Sequence, residues 1–147
     1  MIIDEKTDLE LVKKFFTKDR FVALSGIEID TVSEESATVS VAIDERHENA
    51  NGYVQGGLIY TLADFAFAVL SNYTHPATVT QGGNIQYLRP AKGKKLTAMA
   101  REIERAGHNS VCEVLITDDA NQTVAVAHFN GFVKDIDKKE MMERLSK

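Results

Sequence analysis

The sequence predicts an α+β fold in which an antiparallel sheet is laid around or against one buried helix. Three observations point there. Residues 57–72 are rich in Leu and Ala, contain no Pro, and carry apolar side chains around nearly the whole helical circumference. Four strand-like segments follow, over 78–88, 95–105, 109–118 and 122–133, separated by the turns RPAKGKK, AGHN and DDANQ. Ahead of the helix, ATVSVAI alternates Ala37, Val39, Val41 and Ile43 with smaller or polar residues, the period of a strand with one wetter face.

The remaining elements fill in around these. TDLELVKKFF reads as a short amphipathic helix within 7–18, with Thr7 and Glu10 at capping-box spacing and Leu11/Phe15 and Val12/Phe16 as i,i+4 pairs. GIEID is the expected hairpin partner of ATVSVAI, joined through SEES. Residues 44–57 form a long polar loop, a length that compact domains usually reserve for function. His75-Pro76 ends the buried helix. QTVAVAHFNGFV is apolar on both faces and belongs in the middle of the sheet. The 147 residues read as one domain, with a core over 19–133 and a polar helical tail over 134–147.

Composition narrows the function classes. Apolar residues make up 44% of the chain, enough for one core, and the formal net charge is −5, which disfavours nucleic acid as the main partner. Arg89, Lys92, Lys94, Lys95, Arg101 and Arg105 nevertheless crowd into one stretch, which suits a small anionic ligand better than a polymer. Cys112 is the only cysteine, so no internal disulfide can form. The acidic MIIDEKTDLE has no apolar signal core, and the apolar run at 57–72 is too interrupted to span a bilayer. A cytoplasmic protein without a membrane partner is expected.

One charge stands out. From Asn49 to Leu88 the only Asp, Glu, Lys or Arg is Asp64, flanked by Leu62, Ala63, Phe65, Ala66 and Phe67. Such a carboxylate either finds a wet face or a loop to cap, or serves chemistry that needs a perturbed acid. Gln55-Gly56-Gly57 is the second candidate. Glycines at a helix entry let a ligand approach backbone N–H groups that can hold a developing oxyanion, although Gly-Gly also makes an ordinary helix-entry turn. Asp64 lies about 11–12 Å further along the helix axis, so one chain does not bring the two together. A two-fold dimer can, which predicts two equivalent sites at a subunit interface.

Other signals are weaker. Cys112 sits in a strand pattern without an activating neighbour. His47, His75, His108 and His128 lack metal-ligand spacing, so no metal is expected. QGGNIQYL does not match a nucleotide loop. Tyr53, Tyr60 and Phe67 read as packing residues. His108 and Asn109 shape a hairpin turn that is also able to touch a ligand.

HENANGYVQGGLIYTLADFAFA resembles the signature of hotdog-fold acyl-CoA thioesterases of the phenylacetate-pathway (PaaI-like) type, H-x-N-x-x-G-x-x-H-G-G followed by L-x-D. YLRPAKGKK and the turn at Gly107 are similar to that family's later strands. The resemblance runs from about Asp19 to Val133. It implies a long helix wrapped by an antiparallel sheet, helix-against-sheet dimers that usually pair into tetramers, and hydrolysis of an acyl-CoA without a separate cofactor. On it, Asp64 falls on the catalytic carboxylate, which acts as general base on water or as nucleophile at the thioester carbon, and the Gly56 N–H falls on the group that polarises the thioester carbonyl. Asn49 falls on a residue that orients the carbonyl or the water, and Thr80 on one that supports the attacking water. Gly57, Arg89, Pro90, Lys92, Gly107, His108 and Asn109 fall in segments that border CoA. Gln55 departs from the pattern, since the family has His there; Gln donates a hydrogen bond but carries no proton near neutrality. A non-catalytic acyl-CoA binder of the same fold is the alternative this departure raises. A thioester dehydratase is disfavoured, because no His sits on the helix or at its entry.

Overall fold

The computed structural model describes residues 5–75, 77–136 and 138–147. Residues 1–4, in the segment read as lacking an export signal, and Pro76, read as a helix stop, lie outside the described residues. The chain runs α1 (Glu5–Phe16), α2 (Arg20–Ser25), β1 (Ile27–Val32), β2 (Ala37–Ala42), a 3-10 turn (Glu45–His47), α3 (Gly56–Thr74), β3 (Thr78–Tyr87), β4 (Lys95–Ala106), β5 (Asn109–Asp118), β6 (Thr123–Val133) and α4 (Lys138–Ser146). All pairings are antiparallel, in the order β1-β2-β4-β5-β6-β3. No helix among the described residues is long and apolar enough to cross a membrane.

α3 packs against all six of these strands, with most of its side chains buried, as its apolar circumference requires. Phe67 stacks on Phe129 of β6, with ring centroids 5.3 Å apart, and Tyr60 meets the same ring edge-on at 5.5 Å. Gly83 makes room for this cluster: a Cβ there would lie 2.6 Å from Phe129 Cδ1 and 2.7 Å from the Tyr60 hydroxyl. α1 docks on the last turn of α3, where the Tyr73 hydroxyl donates to the buried Asp8 carboxylate at 3.0 Å. β6 lies inside the sheet, as expected. β3 closes one edge, and Val79 and Tyr87 on it are exposed.

Three expectations change. α1 starts at Glu5, so Thr7 lies inside the helix and is not its cap. The chain does not simply end that helix at 18–20. Asp19 caps a second helix, accepting from the Val22 N–H at 3.0 Å, and Gly26 closes it in the left-handed conformation at φ 76°. Six residues are too few to show a helical period, so pattern reading passes over α2. Tyr53 is 57% exposed, whereas Tyr60 and Phe67 are packing residues as read. Within the tail Lys138–Ser146 is helical, and this α4 packs against α1; Asp137 lies outside the described residues.

Because Phe67 is 1% exposed and joins α3 to the sheet, Phe67→Ala is expected to cost about 3–5 kcal/mol of unfolding free energy, measured by urea denaturation.

Candidate active site

Asp64 occupies the half-buried stripe of α3 that runs Tyr60, Asp64, Ala68, between α2 and β3. On one side the Thr80 hydroxyl donates to Asp64 Oδ1 at 3.5 Å. On the other, Asp64 opens into a cavity of about 150 Å³ walled by Phe21, Val22, Tyr60, Phe65 and Asp19. Burial raises the Asp64 carboxyl above its ordinary 3.8; the Thr80 bond opposes this, and the negative charge of Asp19 adds to it. The site therefore holds a carboxylate that is partly desolvated, hydrogen-bonded on one face and open on the other, which favours proton uptake.

The entry to α3 is built by the preceding loop. His47 is buried, accepts the Asp44 N–H at Nδ1 and meets the Ser25 carbonyl through Nε2 at 2.7 Å. Asn49 Oδ1 accepts from the N–H groups of Asn51 and Tyr53, at 2.9 and 3.1 Å, which folds the loop and leaves the Asn49 amide as a donor group. Gln55 is the N-cap, and its Oε1 accepts the Gly57 N–H at 3.3 Å. The Gly56 N–H takes no partner among the described residues. Its position is fixed from behind, because the Tyr87 hydroxyl donates to the Gly56 carbonyl at 2.8 Å and the ring lies 3.3 Å from where a Cβ would stand.

α3 is continuous from Gly56 to Thr74, so Asp64 stands about 12 Å up the axis from Gly56 of the same chain. The two ends of α3 match the two ends of β3. Gly56 lies at the Tyr87 end, followed by Arg89, Pro90 and Lys92, while Asp64 lies at the Thr80 end. Asp118 and Asp119 clamp the segment after β3, accepting the Lys92 N–H at 3.2 Å and the Lys94 N–H at 2.7 Å. Burial pushes the Asp118 carboxyl upward, but N–H donors from Gln122, Lys92 and Ala120, with the Arg89 charge, outweigh it and hold the group below the usual range. The Gly107-His108-Asn109 turn belongs to the Asp64 end instead, since Asn109 pairs with Phe132 and Phe132 with Val79. His108 bonds the Val133 carbonyl at 2.7 Å and stacks on Phe132.

The expected single basic patch is not formed. Lys95 and Arg105 sit at opposite ends of β4, about 33 Å apart at the rise of a strand, and Arg105 bonds His75, which bonds Glu102 at 2.5 Å. Cations close in sequence were separated by an extended strand. Cys112 is buried, and burial together with the Glu102 charge, against a Ser110 hydrogen bond, pushes its thiol up to about 11. Among the described residues, no three His, Cys, Asp or Glu side chains are arranged to hold a metal.

Comparison with known proteins decides the family. Residues 10–133 match a family described as a domain of unknown function, DUF4442. Acyl-coenzyme A thioesterase PaaI of Escherichia coli is 30% identical over 112 residues, covering 76% of this chain and 80% of that protein. The structure of the E. coli PaaI protein superposes with a TM-score of 0.82 at 24% identity, covering 89% of this chain and 96% of the other. The chain belongs to the PaaI-like hotdog-fold thioesterases. It is a thioester hydrolase. A Streptococcus mutans protein crystallised with acetyl CoA has 26% identity and a TM-score of 0.71, covering 76% of this chain and 91% of that one.

Within this hotdog thioesterase, the fold brings Asp64 and Thr80 together, keeps Gly56, Gly57 and Asn49 at the other end of α3, and divides the segments expected to border CoA between the two ends. Sequence reasoning missed Asp19, His47 and Tyr87 as parts of the site. His47 had a signal, since it stands at the first His of the H-x-N signature; Asp19 and Tyr87 arrive through tertiary packing.

A carboxyl raised by folding makes its ionised form a cost to stability. That cost is absent below the ordinary carboxylate range, where the folded and unfolded states are both protonated, and is complete above the folded-state value. Asp64→Asn is therefore expected to melt above the wild type at pH 7, with the gap closing near pH 4, as read by calorimetry across that interval.

Proposed function

We propose that the protein hydrolyses acyl- or aryl-CoA thioesters to the free acid and CoA. The observation that carries this reading is the pairing of a partly desolvated Asp64 with a small, mainly apolar cavity. The names of its relatives support the same chemistry: the E. coli protein is an acyl-coenzyme A thioesterase, and the S. mutans protein binds acetyl CoA.

In this reading ionised Asp64 removes a proton from water as the oxygen attacks the thioester carbon, and Thr80 orients the carboxylate. The carbonyl oxygen becomes an oxyanion held by the Gly56 N–H at the positive end of α3, with the Asn49 amide as a second donor. The C–S bond breaks as the oxyanion collapses. Protonated Asp64 returns its proton to the departing CoA thiolate, so Gln55 needs only to cap the helix and has no proton to carry.

Asp64 and Gly56 of one chain are too far apart to share a thioester carbon. A two-fold homodimer formed along the exposed β3 edge removes the difficulty, because antiparallel pairing sets the Asp64 end of one protomer against the Gly56 end of its partner. The same pairing joins one protomer's Gly107-His108-Asn109 turn with the partner's Gly57, Arg89, Pro90 and Lys92 segment, where the two cations meet CoA phosphates. The charge arrangement that one chain divides is thus reassembled by two.

The first test is thiol release from acetyl-, hexanoyl-, palmitoyl- and phenylacetyl-CoA by the wild type and Asp64→Asn. A fall of about 10²- to 10⁴-fold in kcat/KM is expected for the variant. Thiol release that persists in Asp64→Asn would remove the proposed base. Wild-type kcat/KM is expected to rise with pH and level off, with its midpoint above the 3.8 of an ordinary Asp carboxyl, because the ionised form is the base and burial raises its value. The interface requirement has its own test. Mixing inactive Asp64→Asn with inactive Gly56→Pro is expected to restore about a quarter of the sites, since half the dimers are mixed and each mixed dimer has one intact site. No recovery after verified subunit exchange would place the site within one protomer.

A further inference from the structure

Two cavities meet at Val22 and Phe65. The first, about 150 Å³, is the one Asp64 opens into. The second, about 360 Å³, lies beneath α2, with Phe16, Ala23, Ile27 and Ile29 in its walls and Lys13 and Glu28 among its lining residues. Val22 and Phe65 are the residues that line both. They are 6% and 4% exposed, so they form a packed partition between the two spaces. Phe65 is held there by the Phe16 ring, edge-on with centroids 5.2 Å apart, and Val22 by α2, whose N-terminus Asp19 caps.

We infer that the acyl group of the substrate occupies the first cavity and that the Val22–Phe65 partition sets its size, so that the enzyme selects compact aryl or short acyl groups over long chains. The inference rests on the thioesterase reading of Asp64. If the thioester carbon sits at Asp64, the acyl atoms attached to it enter the cavity that carboxylate faces. The CoA arm has reason to leave in another direction, since Asp19 and Asp64 both line this cavity and repel phosphate. A cavity near 150 Å³ has the volume that holds a group the size of benzene. A longer chain would have to pull Phe65 from Phe16 to reach the second cavity, which has more than twice the volume. After cleavage the new carboxylate stands beside Asp64 and Asp19, and like-charge repulsion favours its release.

The test compares wild type, Val22→Ala and Phe65→Leu on a series from acetyl- to palmitoyl-CoA with phenylacetyl-CoA, after thermal melts establish that each variant is folded. In the wild type, kcat/KM is expected to climb roughly fourfold per methylene until the acyl group reaches roughly six carbons, the size of a benzene ring, and to fall beyond. In Val22→Ala the maximum is expected to move to longer chains, with the dodecanoyl-to-hexanoyl ratio of kcat/KM at least tenfold higher. A wild-type maximum at dodecanoyl or longer would overturn the inference, as would an unchanged profile in both folded variants. The same esters are titrated calorimetrically into Asp64→Asn, with and without Val22→Ala. If the wild type releases no thiol, the catalytic reading fails but the partition is still tested. A break in affinity near six carbons that Val22→Ala moves upward upholds it, and affinity indifferent to chain length overturns it.

Discussion

The burial of α3 against the sheet is the constraint on which the rest depends. A 19-residue helix that is apolar almost all round has to be covered on most sides, and a six-stranded sheet with helices at its open flank is what covers it. The Phe67, Phe129 and Tyr60 rings lock its register against β6, and Gly83 admits them. Once α3 is held, the position of Asp64 is set by helical geometry alone. Its half-burial follows from the neighbours that α2 and β3 bring to that stripe.

The site uses this rigidity at a local cost. A carboxylate on a buried helix is poorly solvated, and the nearby Asp19 worsens its position, while Thr80 returns only one long hydrogen bond. The fold tolerates this because the rest of α3 is apolar and well packed. Elsewhere the chain treats its acids differently. Asp118 is surrounded by backbone N–H donors, and Asp8 takes the Tyr73 hydroxyl. Asp64 departs from that treatment, and the departure leaves it able to accept a proton.

The placement of charge is equally a matter of geometry. Six cations lie close together in the sequence, yet three of them, Lys95, Arg101 and Arg105, are drawn out along β4, and Arg105 is taken up by His75. Near the helix entry, the Asp118 and Asp119 clamp holds the backbone of Lys92 and Lys94, and the Arg89 charge acts on Asp118. What looks like one patch in the chain is spread from one end of the sheet to the other. Only a second copy of the chain would bring the Asp64 end and the helix-entry end into one site.

Much of this was legible in the sequence because it rests on period and composition. The strand at 109–118 agrees residue for residue, the others agree to within one or two residues, and the apolar circumference of α3 foretold its burial. Asp64 was conspicuous because a lone charge in an uncharged stretch is rare by composition, and Gly56-Gly57 because glycines at a helix entry serve close approach. The N-cap role of Gln55 and the turn at Asn49 depend on neighbours in the chain and were within reach of the same reasoning. The six-residue α2 was not, being shorter than two helical turns. Nor were Asp19 and Tyr87 as site residues, the separation of the basic residues, or the partition formed by Val22 and Phe65. Each of these depends on the distance between segments far apart in sequence, and that distance is decided only when the sheet closes on the helix. The sequence determined the sheet strands, the central helix and the lone carboxylate that helix carries; tertiary packing decided what that carboxylate faces, because local periodicity carries no information about which surfaces will meet.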